Sequence, residues 1–184
     1  MSGGPAPASG VPATVRTTSP DGTRALGRAL ASVVRAGDVL VLAGDLGAGK
    51  TTFAQGFAAA LGVREPVTSP TFALVRPYRC GPDAPGGVRT VLHADVYRLD
   101  RLSEVADLGL AQLVEDGAVA LVEWGDAAAP VLGDEMLQVR IDPGEGDDER
   151  RVTVTPRGFG WAARAAEVGR ALADLPGGAE GSAP

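Results

Sequence analysis

The residues with the clearest chemical potential are Gly-Asp-Leu-Gly-Ala-Gly-Lys-Thr at positions 44–51. They fit the pattern G-x-x-x-x-G-K-[ST], in which glycines let successive backbone N–H groups approach phosphate oxygens. Lys50 would bridge the β- and γ-phosphates, Thr51 would give its hydroxyl to Mg²⁺, and Thr52 would hydrogen-bond a neighbouring phosphate. The pattern therefore predicts a loop that binds a nucleoside triphosphate, a P-loop.

Lys50 is the only lysine in the chain, since the other basic residues are all arginine. In a sequence that uses arginine wherever it needs a positive charge, one lysine indicates a site that needs a compact ammonium. The same count excludes a second lysine for the N-K-x-D motif that reads guanine, which disfavours a GTP switch.

Two acidic residues follow apolar runs that are typical of buried strands. Asp95 comes after residues 91–94, and Glu123 comes after residues 119–122. Ligands of open α/β sheets collect beyond the carboxyl ends of strands, and Mg²⁺ prefers oxygen ligands. We expect one acid to hold the metal and the other to orient water, and the spacing leaves open which does which. His93 would face the same side of its strand as Asp95, and we interpret it as a structural, hydrogen-bonding histidine.

The elements that must position these residues follow from periodicity. A continuous apolar run predicts a doubly buried strand at 39–43 before the loop, and a helix runs from the loop to Leu61. Other predicted helices are 24–34 (capped by Ser19 or Asp21), 103–115 (broken near Gly109) and 161–172, and other predicted strands are 72–75, 89–92, 119–122, 137–141 and 152–155. The last two strands would form a hairpin. The prediction is an α/β fold, a single P-loop NTPase domain with a mixed, mainly parallel β-sheet flanked by helices.

Composition sets further limits. The Gly/Pro/Ala-rich ends predict a flexible head at 1–15 and a flexible tail at 174–184 around a domain at 16–173. One cysteine and one histidine exclude an intrachain disulfide, a cysteine-based zinc site and a two-histidine metal site. A net charge of −6 disfavours non-specific binding of nucleic acid. No secretory signal or long apolar run is visible, so we expect a cytoplasmic protein without a membrane span.

Four segments, taken together, resemble one family. They are GDLGAGKTTFAQGF (44–57), VTSPTFALVRPY (67–78), HADVYRL (93–99) and VEW (122–124). In order and spacing they are similar to TsaE, the bacterial tRNA threonylcarbamoyladenosine biosynthesis ATPase family. The resemblance implies ATP and Mg²⁺ as ligands and slow ATP hydrolysis that the partners TsaD and TsaB stimulate. It also implies a role in forming N6-threonylcarbamoyladenosine at position 37 of tRNA (t6A37), with the tRNA contacted indirectly and the carbamoyl transfer made elsewhere.

The resemblance also implies roles for single residues. Thr51 and Glu123 would hold the metal, and Asp95 would activate water, with Lys50 as the second catalytic residue. Ser69–Thr71 would form a switch segment near the γ-phosphate, and Ser19–Thr23 would lie near the adenine. A basic residue of the C-terminal hairpin is expected at the nucleotide, for which Arg150 and Arg151 are candidates and Arg151 is our choice. The predicted nucleotide-binding residues are thus Asp45, Leu46, Gly47, Ala48, Gly49, Lys50, Thr51, Thr52, Trp124 and Arg151.

The alternative function is a small-molecule P-loop kinase, which shares the loop and the strand-end acids. A kinase would also need an acceptor pocket and usually a closing lid with several arginines. The sequence shows no obvious lid insertion. This observation favours the ATPase prediction.

Overall fold

The structure is a computed structural model that describes residues 10–70, 74–97, 108–124 and 132–175, and the backbone of 179–180. Strands and helices alternate through most of this part of the chain. In chain order the elements are β1 (Ala13–Thr17), α1 (Pro20–Ala31), β2 (Val39–Ala43), α2 (Lys50–Ala60), β3 (Val75–Arg79), β4 (Thr90–Asp95), α3 (Leu110–Glu115), β5 (Val119–Glu123), β6 (Met136–Pro143), β7 (Arg150–Arg157), α4 (Gly158–Ala163), α5 (Ala165–Ala173) and β8 (Ala179–Glu180).

The strands of the described residues form one sheet with the order β3-β4-β5-β2-β6-β7-β1-β8. The four central strands, β4, β5, β2 and β6, pair in parallel, whereas the pairings at both margins are antiparallel. Strands β1, β2, β4, β5 and β6 share one direction, and β3, β7 and β8 run against them. The predicted mixed, mainly parallel sheet is therefore confirmed, and so is the hairpin of β6 and β7.

Strand β2 lies in the middle of the sheet and is buried on both faces, as its continuous apolar run predicts. Leu40 and Leu42 pack into a core with α1, α2 and α5 on one face. Val39 and Val41 pack into a second core with Leu110 of α3 on the other face. Helices thus cover both faces, and the loop after β2 emerges at the edge of the sheet where the parallel strands end.

Helices α1 and α2 pack with their backbones in contact. A Cβ on Gly27 would collide with the carbonyl oxygen of Phe53, and a Cβ on Gly56 would collide with that of Arg24. Only glycine permits such an approach at these two positions. The close packing fixes α2, and with it the loop that precedes α2, against α1.

Two predicted helices differ from the observed ones. Helix α1 begins earlier, at Pro20, because Ser19 caps it by accepting a hydrogen bond from the Gly22 N–H at 3.1 Å. The single helix predicted at 161–172 is two helices that meet at Arg164. The guanidinium of Arg164 lies 2.6 Å from Asp38 and 3.9 Å from the Trp161 ring centroid, so the break places this cation in a buried pair.

The boundaries of several strands and of the domain also differ. The head was predicted to extend to Val15, but β1 begins at Ala13 and pairs with β7, so the ordered domain starts earlier. Within the predicted tail, Ala179–Glu180 pairs with β1. Residues 72 and 73 of the strand predicted at 72–75 lie outside the described residues, and the strand that the structure describes next to them is Val75–Arg79.

Some predictions fall where the structure describes little or nothing. Residues 71–73 and the first five residues of the helix predicted at 103–115 lie outside the described residues, and the described part of that helix contains α3. None of the described helices has the length and apolar character needed to cross a membrane.

Candidate nucleotide-binding site

The P-loop connects β2 to α2 and has the backbone geometry that its glycines predict. Gly44, Gly47 and Gly49 have φ angles of 140°, 79° and 110°, a region that side chains with a Cβ rarely adopt. A Cβ on Gly44 would also collide with the carbonyl oxygen of Ile141 on β6. Gly49 is the N-cap of α2, so the positive end of the helix dipole faces the loop. The loop is therefore a pre-formed cradle for anionic oxygens.

Lys50 is the first residue of α2 and is only 5% exposed. Its Nζ donates hydrogen bonds to the carbonyl oxygens of Gly44 and Asp45, both at 2.8 Å. The same Nζ lies 3.8 Å from the centroid of the Trp124 ring. The ammonium of the single lysine therefore lies against the P-loop, where it was predicted to bind phosphate.

Glu123 ends β5 and contacts the P-loop helix directly. The Thr51 hydroxyl donates to Glu123 Oε1 at 3.0 Å, and His93 Nε2 lies 2.8 Å from the same oxygen. Glu123 is 3% exposed. The two residues predicted to hold the metal, Thr51 and Glu123, are therefore neighbours and supply the oxygen atoms that Mg²⁺ prefers.

Asp95 ends the adjacent strand, β4, and pairs in register with Glu123. Its Oδ2 accepts a hydrogen bond from the Ser69 hydroxyl, and its Oδ1 accepts one from the Tyr97 N–H, both at 3.0 Å. Ser69 belongs to the predicted switch segment, of which Thr71 lies outside the described residues. Both predicted acids thus stand at one edge of the sheet, but they have different partners.

These side chains surround one cavity of about 270 Å³. It is an open cleft beside the P-loop, at the carboxyl edge of the parallel strands. The lining residues are Leu46, Gly47, Gly49, Lys50, Thr51, Thr52, Ser69, Asp95, Glu123 and Trp124. The structure therefore brings most of the predicted nucleotide-binding, metal-binding and catalytic residues together.

Trp124 has a strained backbone, with a φ of 60°. Its N–H donates to the carbonyl oxygen of Leu42 at 2.8 Å, and its ring lies 4.7 Å from that of Tyr97. A left-handed conformation at a residue with a large side chain costs about 1–3 kcal/mol and is characteristic of functional sites. In this conformation the indole lies against the Lys50 ammonium, and the resemblance implies that Trp124 lies by the nucleotide.

The C-terminal hairpin also reaches the P-loop, through Arg150 and not through Arg151. Arg150 Nε donates to the carbonyl oxygen of Ala48 at 2.8 Å, and its Nη1 donates to that of Asp147 at 2.7 Å. Arg151 is exposed and, as the next residue of β7, directs its side chain to the opposite face of the sheet. The arginine of this hairpin that contacts the P-loop is therefore Arg150 in place of our choice of Arg151, and its contact with the nucleotide stays a prediction.

The same hairpin and the P-loop border a second cavity of about 290 Å³, which is lined by Asp45, Leu46, Gly47, Ala48, Pro143, Gly144, Glu145, Gly146, Asp147 and Arg150. In the same hairpin, Glu149 Oε1 accepts a hydrogen bond from Arg16 Nε at 2.9 Å, and this hydrogen bond lowers the pKa of Glu149 below its ordinary value. The ionised Glu149 thereby ties the hairpin to β1.

The segment Ser19–Thr23, which the resemblance places near the adenine, reaches the P-loop through Thr23. A Cβ on Gly49 would be 3.7 Å from the Thr23 methyl group, and the hydroxyl groups of Thr23 and Thr17 are 3.0 Å apart. Together with β1 this segment lines a further cavity of about 280 Å³. Its assignment to the adenine stays a prediction.

Comparison with known proteins agrees with this arrangement. A model of the family described as "Threonylcarbamoyl adenosine biosynthesis protein TsaE" matches residues 17–152. The chain belongs to the TsaE family. A relative of that name from Bacillus subtilis (strain 168) is 42% identical over 155 residues, which are 84% of this chain and 92% of the relative. One from Streptomyces coelicolor is 46% identical over 143 residues, 76% of this chain and 93% of the relative.

A solved structure of similar sequence supports the same fold. The crystal structure of Bacillus subtilis YdiB superposes with a TM-score of 0.71 at 37% identity, covering 87% of this chain and 95% of that one. The family predicted from the four motif segments is therefore confirmed, and the α/β fold agrees with this neighbour.

The chemistry of the site fits a magnesium–nucleotide ligand of the kind that the TsaE resemblance implies. The glycine cradle offers backbone N–H groups, Lys50 offers an ammonium, and Thr51 and Glu123 offer a hydroxyl and a carboxylate oxygen. Mg²⁺ is usually bound by one or two carboxylates together with substrate phosphates, so a single nearby carboxylate is sufficient.

Sequence reasoning missed two contacts of this TsaE site. Tyr97 lies inside the HADVYRL segment, and its ring supports Trp124. The bond between His93 and Glu123 joins neighbouring strands, and the signal for it was the two-residue spacing of His93 from Asp95. That spacing places His93 on the same side of β4 as Asp95, but it does not show that the hydrogen-bond partner of His93 is Glu123 on β5.

Proposed function

We propose that this TsaE-family protein is a Mg²⁺-dependent, ATP-binding and ATP-hydrolysing component of the machinery that forms t6A37 in tRNA. It would act in the cytoplasm with homologues of TsaD and TsaB. One observation carries the proposal: Lys50, Thr51 and Glu123 line the same cavity beside the P-loop. There the Thr51 hydroxyl is hydrogen-bonded to Glu123. The biosynthetic role is supported by relatives named tRNA threonylcarbamoyladenosine biosynthesis proteins.

The proposed division of labour follows the contacts. The loop N–H groups and Lys50 hold the charge of the phosphate chain, and Lys50 exchanges its bonds to Gly44 and Asp45 for bonds to phosphate oxygens. Thr51 and Glu123 hold Mg²⁺, which when bound neutralises charge on the phosphoryl group. The Asp95 carboxylate, held by Ser69 and Tyr97, orients water and takes its proton.

Hydrolysis would be slow in the isolated chain and faster with the partners. The protein would not itself transfer the carbamoyl group, and its net charge of −6 supports an indirect contact with tRNA. The ATP cycle would instead reset the synthase between turnovers.

Calorimetry with ATP or ADP in the presence of Mg²⁺ tests the binding site. Lys50→Ala should weaken binding roughly 10- to 100-fold, because it removes a charge-assisted contact worth about 1.5–3 kcal/mol. Arg157→Ala is the matched control, since it removes one exposed cation at the opposite end of β7 from the loop. Absence of heat with the wild-type chain, even when TsaD and TsaB are added, would refute the proposal.

A reconstituted modification assay tests the role itself. With TsaD, TsaB, tRNA and ATP, t6A should accumulate over many turnovers only when this chain is present, and the product from ATP should be inorganic phosphate. Transfer of the γ-phosphate to a nucleoside or small alcohol would instead indicate the kinase.

A further inference from the structure

We infer that His93 is a positioning residue for the metal-binding carboxylate, because it donates a hydrogen bond from Nε2 to Glu123 Oε1. The inference rests on the proposed function, because His93 can position a metal ligand only if Glu123 holds Mg²⁺. It assigns to His93 more than the structural role expected from the sequence.

The hydrogen-bonding partners determine the tautomer of the imidazole. Nε2 lies 2.8 Å from Glu123 Oε1, and a carboxylate that holds a cation only accepts hydrogen bonds, so the proposed metal-binding role of Glu123 requires a proton on Nε2. Nδ1 is buried and has no hydrogen-bond partner within the described residues. A proton on Nδ1 would therefore be a buried donor without an acceptor, which is costly, whereas a bare ring nitrogen in that place is tolerated better. The arrangement fits the Nε2–H form with Nδ1 unprotonated.

The fold holds the imidazole firmly in this orientation. His93 is 1% exposed in the middle of β4, beside Leu121 of β5, and its ring centroid lies 6.4 Å from that of Tyr78 on β3. A buried ring that is flanked by side chains of both neighbouring strands has little freedom to turn. His93 is thus a fixed donor beneath Glu123, not a mobile group on the surface.

The effect on Glu123 follows from the number of its partners. Oε1 receives hydrogen bonds from both His93 and Thr51, whereas none of the described residues donates to Oε2. Anchoring one oxygen fixes the plane of the carboxylate and leaves the other oxygen available to a ligand. Partners that orient a ligating side chain in this way typically change metal affinity 10- to 100-fold when they are removed.

Nitrogen NMR tests the tautomer directly. His93 is the only histidine of the chain, so ¹⁵N-histidine labelling yields the signals of one imidazole. A long-range ¹H–¹⁵N spectrum of the full chain at neutral pH should show a protonated Nε2 and an unprotonated Nδ1. The Nδ1–H form, or a ring that averages between both forms, would overturn the inference whether or not the chain binds nucleotide.

Metal affinity tests the positioning role with a matched pair of variants. His93→Gln can keep an N–H donor near the position of Nε2, whereas His93→Leu has similar bulk and no donor. Electron paramagnetic resonance would measure the affinity for Mn²⁺, used in place of Mg²⁺, in the presence of ADP. We expect His93→Leu to lower this affinity 10- to 100-fold and His93→Gln to stay within about threefold of wild type. The affinity for ADP in EDTA should change in neither variant.

Two comparisons separate positioning from packing. If both variants lose Mn²⁺ affinity equally, or if His93→Leu keeps it, the inference is wrong. If His93→Leu does not fold, the His93→Gln result and the NMR tautomer decide. In the Glu123→Gln background, His93→Leu should cause little additional loss, whereas a packing effect would add its full cost. Failure of the wild-type chain to bind ADP or Mn²⁺ would instead count against the proposed function.

Discussion

Two carboxylates end neighbouring strands at the same edge of the sheet, and their partners separate their roles. Glu123 contacts Thr51, at the start of the P-loop helix, whereas Asp95 contacts Ser69, in the segment predicted to face the γ-phosphate. The apolar runs before the two acids were enough to predict their common edge. They were not enough to predict which acid meets Thr51, because that depends on the contact between β5 and α2.

Asp95→Asn tests the separation of roles. The amide keeps the shape of the side chain but is a poor base, so we expect ATP binding within a few-fold of wild type and hydrolysis, measured as phosphate release with the partner proteins, about 10²- to 10⁴-fold slower. Asp116→Asn, at an exposed acid beyond α3, is the control and should hydrolyse ATP normally. Wild-type turnover by Asp95→Asn would remove Asp95 from the catalytic set.

Arg150 shows the limit of sequence reasoning for single residues. Adjacent residues of a strand point to opposite faces, so the choice between Arg150 and Arg151 depends on the register of β7. That register is fixed by its pairing with β6 and β1. The glycines and Lys50 were predictable because their backbone and charge requirements are local. The arginine was not, because its position is set by strands that are distant in sequence.

At the scale of elements, the apolar pattern of the sequence was sufficient to predict the buried strands but not the strands at the margins of the sheet. The apolar run of β2 predicts its position closely. Strand β3 has an exposed, arginine-rich sequence interrupted by Pro77, and β1 follows a Pro/Ala-rich stretch, so neither carries a strong strand pattern. Both form because a neighbouring strand offers backbone hydrogen bonds, and such tertiary context outweighs propensity.

The contact between α1 and α2 gives a prediction at this scale. Gly56→Ala would push a Cβ into the carbonyl oxygen of Arg24, so we expect a loss of about 1–3 kcal/mol in the free energy of unfolding. Gly169→Ala in α5 is the matched control, because its Cβ would have no neighbour within 4 Å. It should stabilise the protein by about 0.5–1 kcal/mol. Urea denaturation measures both, and equal effects would contradict the close packing.

At the scale of the whole molecule, the net charge limits the affinity of the protein for tRNA. The chain carries a net charge of −6, and the acidic loop at 142–149 borders one of the cavities beside the P-loop. Affinity for nucleic acid comes mainly from lysine and arginine groups that neutralise phosphates and release counterions. A local contact with RNA remains compatible with this net charge, but the acidic residues around the cavities beside the P-loop oppose a strong one.

The isolated chain should therefore bind tRNA weakly, and lowering the salt should not rescue binding. Fluorescence anisotropy with labelled tRNA should detect no tight complex at about 150 mM salt, and reducing the salt should strengthen repulsion as well as attraction because screening falls. A basic protein would instead gain affinity steeply under the same change. In the proposed function TsaD and TsaB make the contacts with tRNA, so adding them should bring this chain to tRNA without changing the affinity of the partners for tRNA. Tight binding by the isolated chain, with a steep dependence on salt, would mean that a local basic surface outweighs the net charge, and the indirect role would then be wrong.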